Sequence, residues 1–302
     1  MMHKIMMDCD PGIDDTCALA CALTDPDIDL QLITTVAGNV DVEKTSHNAL
    51  NIVEFFGRHV PVAKGAKKPL MQPLEDASRV HGEKGIKGYD FGAPQTKVLA
   101  IDAVTALKEQ LLHSEAKLTI IATGAFTNLG VLLTLYPEVK EKIQEIIIMG
   151  GSLGRGNMTS TAEFNVFTDP HAAKILFESG LKLTMIGLDS TLTGRITQKT
   201  QSLLQQTNAA GKMLSALINN DFDRNEQGTA IHDLQTIFYL LHPEAFKTEA
   251  FWVDVVCEGP AKGATVADIR HAYHNKTNAT VCLGVDQEAF NDWLLNEVKN
   301  NM

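Results

Sequence analysis

Four aspartates fall within eight residues in the stretch Ile5-Met6-Met7-Asp8-Cys9-Asp10-Pro11-Gly12-Ile13-Asp14-Asp15. Carboxylates crowded into one turn repel one another unless a cation, a shared proton or water offsets the charge. A hard divalent cation is the natural partner, because it takes several oxygen ligands at once. Asp10, Asp15, a strand-end carbonyl and a distant aspartate could supply them without cysteine or histidine, which favours calcium or magnesium over zinc. The stretch is not an EF-hand, since Leu19 stands where that loop needs its bidentate glutamate. The plain alternative is that acids simply favour the first turn of a following helix. One or two aspartates fit that alternative; four strain it.

A second chemical feature is His232-Asp233 at an expected helix start. Histidine can deliver a proton near neutral pH, and the neighbouring carboxylate could ligate a metal or tune the ring. Such a dipeptide taken alone is more often structural. His3, His47, His59, His113, His171, His242, His271 and His274 sit in helical or polar contexts and read as surface residues.

These side chains need a scaffold, and the hydrophobic pattern supplies an alternating one. Lys4 to Met7 reads as a short buried strand, and Pro11-Gly12 turns the chain into a helix over Ile13 to Leu23. Further strands are expected at Leu30–Val36, Val60–Ala63, Leu118–Ala122, Ile146–Met149 and Leu183–Leu188, the last closed by Asp189. Helices are expected over Asp41–Phe56, Ile101–Leu112, Asn128–Leu135 and from Asp169-Pro170 to Gly180. Thr197 to Phe222 reads as mainly helical, Leu234–Leu241 as helix, Phe251–Glu258 and Thr280–Gly284 as late strands, and the tail from Gln287 as a last helix. Between Lys64 and Thr96 the periodicity fades into lysines, prolines and glycines around His81-Gly82-Glu83. A loop that long inside a compact chain is often functional.

No internal repeat or linker interrupts this pattern. The expectation is therefore one α/β domain over 1–302, Rossmann-like, with a central, mostly parallel sheet flanked by helices. In such sheets ligands bind outside the carboxyl ends of the strands. That edge collects Asp8, Asp10, Asp14, Asp15, Asn39, Thr123, Met149 and Asp189, a lining suited to an uncharged polyhydroxylated substrate. The glycines after Met149 lack dinucleotide spacing.

The totals narrow the partners. A formal charge of -11 argues against nucleic acid or an anionic membrane as partner. Five cysteines without a CxxC motif point to reduced thiols rather than a disulfide framework, with Cys17 and Cys21 on a buried helix face. No secretory signal pattern or bilayer-length apolar run is present, so the expected location is cytoplasmic.

The motifs in order carry a resemblance. Asp8-Cys9-Asp10-Pro11-Gly12-Ile13-Asp14-Asp15, Thr34-Thr35-Val36-Ala37-Gly38-Asn39, His81-Gly82-Glu83, Thr123-Gly124-Ala125-Phe126-Thr127-Asn128, Met149-Gly150-Gly151, Ala162-Glu163-Phe164-Asn165 and His232-Asp233 together resemble the inosine-uridine nucleoside hydrolase family. Within it, the chain looks closest to broad-specificity bacterial ribonucleoside hydrolases. The resemblance implies calcium-dependent hydrolysis of the N-glycosidic bond of purine or pyrimidine ribonucleosides in salvage. It implies Asp10, Asp15, the Thr123 carbonyl and Asp233 as calcium ligands, with Asp10 also the base toward the attacking water. It implies Asp14 and Asn165 on the ribose 2'- and 3'-hydroxyls, and Asn157 and Glu163 on the 5'-hydroxyl. Asn39 would lie near the attacking face, Met149 in the substrate pocket, His81 and His232 on the base side, and His232 would assist the leaving base. A homodimer or homotetramer is implied as well.

One departure stands out. The segment 219–227 lies where members with particular base preferences often carry tyrosines, and it has none. Phe222 is the candidate to stack on the base, or else a core residue. Two other readings compete. A haloacid-dehalogenase-like phosphohydrolase also places two aspartates after a strand, but expects threonine or valine where Gly12 stands. A nucleoside-binding protein without turnover would not need the full aspartate set.

Overall fold

The computed structural model describes residues 2–221 and 223–302. The expectation for Phe222 thus lies outside the described residues.

The first apolar run forms strand β1 (His3–Cys9), and the Pro11-Gly12 turn leads into helix α1 (Ile13–Thr24). All of α1 is buried, which accounts for a sequence that is apolar nearly all round instead of striped. Strand β2 (Ile28–Thr35), helix α2 (Val42–Phe55) and strand β3 (Val62–Lys64) follow. The long polar segment holds one short helix, α3 (Ser78–His81). Strands β4 (Leu118–Ala122), β5 (Ile143–Met149) and β6 (Leu183–Ile186) continue the alternation.

Eight strands form one sheet in the order 246–251, 279–285, β6, β5, β4, β1, β2, β3. Every neighbouring pair is parallel except 246–251 against 279–285. β1 lies where the order reverses: β2 and β3 extend to one side, β4 to β6 to the other. The crevice outside the carboxyl ends of β1 and β4 is therefore the topological switch point, where open α/β sheets bind ligands.

Successive side chains on the strands feed opposite layers. From β1, Ile5, Met7 and Cys9 join the core beneath α1 and the helices 209–220, 234–241 and 287–300, while Met6 joins the core beneath 103–113, 127–135 and 170–177. Ile121 and Ile147 go to the first layer, Ile120, Ile146 and Ile148 to the second. Each fully buried Leu or Ile contributes about 1.5–3 kcal/mol, so the mouths of β1 and β4 rest on a stiff floor.

Three expectations need correction. The run 183–188 stops at Ile186: Gly187 is the N-cap of the helical turn Leu188–Thr191, its carbonyl accepting the Thr191 N–H at 3.0 Å, and the Leu188 N–H turns to the Gly151 carbonyl at 3.0 Å, which passes so close that only glycine fits at 187. Asp189 consequently sits in that turn and not at a strand end; its Oδ2 accepts the Leu153 N–H at 2.7 Å. The helical stretch 197–222 is two helices, Gln198–Leu204 and Ala209–Asn220, the second capped by Asn208 accepting from the Gly211 N–H at 2.8 Å. The late strand 251–258 divides: Phe246–Phe251 is the antiparallel edge of the main sheet, and Val253–Val255 pairs with Thr265–Ala267 outside it. Lys247 and Glu249 keep that edge charged and exposed, a common protection against further strand addition.

Cys17 and Cys21 are buried on α1 as expected, and all five cysteines are free. Among the described residues, no helix is long and apolar enough to cross a membrane.

Candidate active site

A cavity of about 460 Å³ opens at the switch point. Asp14, Asn39, His81, Met149, Asn157, Glu163 and Asn165 all line it, and Thr123, His232 and Asp233 complete its wall. Asp10 and Asp15, both 0% exposed, lie behind that lining.

The chain leaves β1 at Cys9, and the next residue points its carboxylate between two glycines. Asp10 Oδ2 accepts the Asn39 N–H at 2.7 Å, while Oδ1 is buried without a partner. A Cβ at Gly38 would lie 1.9 Å from Asp10 Oδ2, and one at Gly124 would lie 3.0 Å from Oδ1. Only glycine on both flanking turns lets the backbone approach this closely. Asp15 closes the first turn of α1: Oδ2 accepts from the Gly12 N–H at 3.0 Å and from Asn39 Nδ2 at 3.2 Å, and Oδ1 accepts the Thr123 hydroxyl at 2.8 Å. Asn39 also donates from Nδ2 to the Asp10 carbonyl at 3.1 Å, so it fixes both acids.

From far downstream, Asp233 joins them. Asp14, Asp15 and Asp233 each bring a carboxylate oxygen within 4.8 Å of the others. The Thr123 carbonyl accepts Asn165 Nδ2 at 2.7 Å, and the same nitrogen donates to the Met149 carbonyl at 3.0 Å. Those two carbonyls fix the amide's orientation, leaving Asn165 Oδ1 as the atom free to accept from a ligand.

The electrostatics of these carboxylates suit a bound cation. Burial, then Asp15, holds the Asp10 carboxyl well above the usual carboxylate range, and burial, then Asp14, pushes Asp15 up to about 7. Asp233 is raised well above its ordinary value by burial and by Asp14, Asp15 and Asp10. Among the described residues, Arg79 is the only lysine or arginine on the cavity wall, and its guanidinium lies 4.0 Å from Met158 Sδ. An unpartnered buried oxygen on Asp10 and a set of hard oxygen donors fit a divalent cation, with Asp10, Asp15, Asp233 and the Thr123 carbonyl able to hold it.

Asp8 is not part of the lining. It faces the helix 127–135 layer together with Met6, and its Oδ1 accepts Thr34 Oγ1 at 2.6 Å and Asn128 Nδ2 at 2.8 Å. Asn128 in turn accepts the Ala66 N–H at 2.9 Å, which ties the long polar segment to the sheet. Burial pushes Asp8 up to about 6, against the pull of those two hydrogen bonds.

Glu163 caps the helix Phe164–Thr168, accepting from the Asn165 and Gly151 N–H groups at 2.9 Å each; burial raises its carboxyl, with those bonds opposing. Asn157 Oδ1 accepts the Phe164 N–H at 2.9 Å. His81 arrives on α3, and its Nδ1 faces the Ile13 N–H at 3.4 Å. Burial lowers its pKa, and Nδ1 acting as acceptor places the proton on Nε2.

His232 is bonded at both ring nitrogens, Nδ1 to Thr191 Oγ1 at 2.7 Å and Nε2 to Asp223 Oδ2 at 2.8 Å. Burial alone would lower its pKa, yet the hydrogen bond to Asp223 and the nearby carboxylates raise it overall. Asp223 is correspondingly lowered by its bond to His232, whereas burial, then Asp14, lifts Asp221 to about 7. Asp221, Asp223 and Thr191 carried no role in the sequence reading. The first two were visible as acids in the segment 219–227; Thr191 gave no signal, because its partner lies 41 residues away.

The sequence pattern of the inosine-uridine preferring nucleoside hydrolases matches residues 5–292. Non-specific ribonucleoside hydrolase RihC of Klebsiella pneumoniae subsp. pneumoniae is 45% identical over 295 residues, covering 97% of each chain. Among solved structures, a purine-preferring ribonucleoside hydrolase from Gardnerella vaginalis superposes with a TM-score of 0.91 at 31% identity, covering 98% of each chain. A plant nucleoside hydrolase, the PpNRh1 enzyme, superposes with a TM-score of 0.91 at 29% identity, covering 99% of this chain and 100% of the other.

Proposed function

The chain belongs to the inosine-uridine preferring nucleoside hydrolase family and is a nucleoside N-ribohydrolase; from there we propose that it is a calcium-dependent, broad-specificity ribonucleoside hydrolase acting in cytoplasmic salvage. Residues 1–302 read as one hydrolase domain, supported by a sheet that draws strands from His3 through Val285. The single observation that carries the metal and the chemistry is the buried carboxylate cluster: Asp14, Asp15 and Asp233 bring oxygens within 4.8 Å of one another, and the buried Asp10 Oδ1 has no hydrogen-bond partner.

When bound by Asp10, Asp15, Asp233 and the Thr123 carbonyl, calcium would polarise the attacking water and the ribose hydroxyls. Asp10, its Oδ2 pinned by Asn39, takes the proton of that water through Oδ1. Asp14 and Asn165 Oδ1 hold the 2'- and 3'-hydroxyls, and Asn157 and Glu163 hold the 5'-hydroxyl. The ring of carboxylates favours the positive charge that builds on the ribosyl ring as the C1'–N bond breaks, more than it favours the neutral substrate. The bond's electron pair leaves with the base, which takes a proton from His232, and the water oxygen joins C1'. His81 presents its Nε2–H on the same base side. The products are ribose and the free base.

The choice of breadth follows the 45% identity to a relative named non-specific. Ribose release from inosine, uridine, cytidine and adenosine tests the proposal, with release expected from all four. Release from purine nucleosides alone would overturn the breadth, and phosphate release from a phosphomonoester with no ribose from any nucleoside would overturn the activity.

A further inference from the structure

The segment 219–227 carries Asp221, Asp223 and Glu226 and no tyrosine. Two of these acids reach the cavity. Asp221 and Asp223 line it together with Asp14, Asp76, Glu163 and Asp233, with Arg79 the only lysine or arginine among the described lining residues. A cation held by Asp10, Asp15, Asp233 and the Thr123 carbonyl would answer the acids that bind it. Asp14 and Glu163 are read as ribose contacts, and the other three acids differ in what they already hold. Asp76 is exposed and accepts from the Ser78 N–H at 3.0 Å and the Ser78 hydroxyl at 2.7 Å. Asp223 Oδ2 meets His232 Nε2 at 2.8 Å, so any charge on that imidazole is matched there.

Asp221 ends the helix Ala209–Asn220, and its Oδ1 accepts the Asp223 N–H at 2.8 Å. Arg195 and Arg224, which flank the segment, are committed elsewhere. Arg195 Nη1 bonds the Asp223 and Gly228 carbonyls at 2.7 and 3.3 Å, and Arg224 bonds the Asn219 side chain. Burial, then Asp14, pushes Asp221 up to about 7, with the Asp223 N–H and His232 opposing. A carboxyl in this setting is complementary to a positively charged ligand group.

The leaving group supplies a second, independent pointer. Both ring nitrogens of His232 are engaged, Nδ1 with Thr191 Oγ1 at 2.7 Å and Nε2 with Asp223. A neutral base draws a proton from this ring only after one of those bonds opens. A base that is already cationic needs no proton and leaves the Thr191–His232–Asp223 chain intact.

We propose that the cavity also takes ribonucleosides whose base carries a fixed positive charge, an N-ribosyl pyridinium being the simplest class, with the Asp221 carboxylate facing the charged ring. This deepens the hydrolase reading and rests on it. Water adds its oxygen to C1', its proton passes to Asp10, and the electron pair of the C1'–N bond returns to the ring nitrogen. The pyridinium thereby departs as a neutral pyridine, and one proton is released overall. A cavity of about 460 Å³ suits a molecule of nucleoside size, and Val80, Met158 and Phe164 supply apolar wall for a flat ring. In the transition state the positive charge moves only from the ring nitrogen to the adjoining C1'. Asp221 therefore attracts both states alike and acts on KM rather than kcat.

The test compares ribose release from N-ribosylnicotinamide, a pyridinium riboside, with release from uridine, using the calcium-loaded enzyme and its Asp221→Asn and Asp221→Glu variants. The unmodified enzyme is expected to cleave the pyridinium riboside with a kcat/KM at least equal to that on uridine. Asp221→Asn keeps an acceptor for the Asp223 N–H and loses the charge. It should raise the ratio of KM on the pyridinium riboside to KM on uridine about tenfold, with the kcat ratio within about threefold. Asp221→Glu should restore most of the KM ratio. Taking the ratio cancels any general disturbance of the fold, which burdens both substrates. Uridine cleaved with no ribose from the pyridinium riboside, or a KM ratio unmoved by Asp221→Asn, would overturn the inference and leave the hydrolase reading intact. Failure of the unmodified enzyme to cleave any nucleoside would overturn both.

Discussion

Gly38→Ala is a one-carbon change aimed at the centre of the site. The added Cβ would stand 1.9 Å from Asp10 Oδ2 and 2.9 Å from its Cγ. An ordinary carbon–oxygen contact is about 3.3 Å, so the carboxylate or the Gly38 turn has to give by about 1.4 Å. On the far side lies the Gly124 turn with Val36 against it; an added carbon at Gly124 would stand 3.0 Å from Asp10 Oδ1 and 2.7 Å from Val36 Cγ1, so the space left for retreat is smaller than one carbon atom. Gly38 has no positive φ, so the substitution adds crowding without backbone strain. Overpacking of this kind costs about 1–3 kcal/mol of stability. A catalytic group misplaced by about 1 Å loses about 10²-fold in rate, equivalent to about 2.7 kcal/mol. The expected result is a kcat/KM on inosine and uridine lowered about 100-fold or more, in a protein that still unfolds cooperatively in urea. Gly154→Ala is the control: its Cβ would meet only Asp189, at 3.9 Å, and it should leave both measurements unchanged. Near-native turnover by Gly38→Ala would refute the placement of Asp10 as the base.

Asp10→Ala should lower kcat by about 10²–10⁴-fold with an unchanged circular dichroism spectrum; retention of near-native rates would contradict its assignment. 2'-Deoxyinosine and 2'-deoxyuridine should be cleaved about 10⁴-fold less efficiently than the ribonucleosides, because a site built around Asp14 and Asn165 Oδ1 leaves buried polar groups unpaired when the 2'-hydroxyl is missing; comparable kcat/KM values would argue against those contacts. Asp8 titrates at about 6 when folded, against an ordinary 3.8, so the folded state holds the extra proton between these values and stability declines as pH rises through that window. That decline is about 3 kcal/mol for this group, and Asp8→Asn should remove it, read as the difference in urea-unfolding free energy between pH 4 and pH 7 in metal-free buffer. An unchanged decline in the variant would show that Asp8 is not its source.

Local signals made most of the scaffold legible. Leu118–Ala122, a five-residue β-branched run between polar ends, became a strand with the same ends. Asp169-Pro170 began a helix as its cap chemistry dictates, with Asp169 accepting the Ala172 N–H. Where the pattern misled, a non-local contact decided. β6 ends ahead of Gly187, where the Leu188 N–H turns to the Gly151 carbonyl and a helical turn begins, and Phe246–Phe251 hides as a strand because only its two end residues are buried. The residues expected around the ligand do gather at one crevice, since parallel strands deliver their carboxyl ends to one edge. Asp189 is the exception, carried off by the helical turn after Gly187. Asp8 shares that edge but faces the other layer, which a two-residue period predicts once β1 is known to run through Cys9. The Thr191–His232–Asp223 chain was not legible, because it joins three separate segments through side chains alone.

Ribosyl transfer to water is proposed to depend on one cation shared by the buried aspartates. Ribose release from inosine by chelator-treated protein, followed as calcium is titrated back, tests it most directly. The rate is expected to be abolished by the chelator and restored to its starting value at about one calcium per chain. Full activity in the chelator-treated protein, or none regained with calcium, would contradict it.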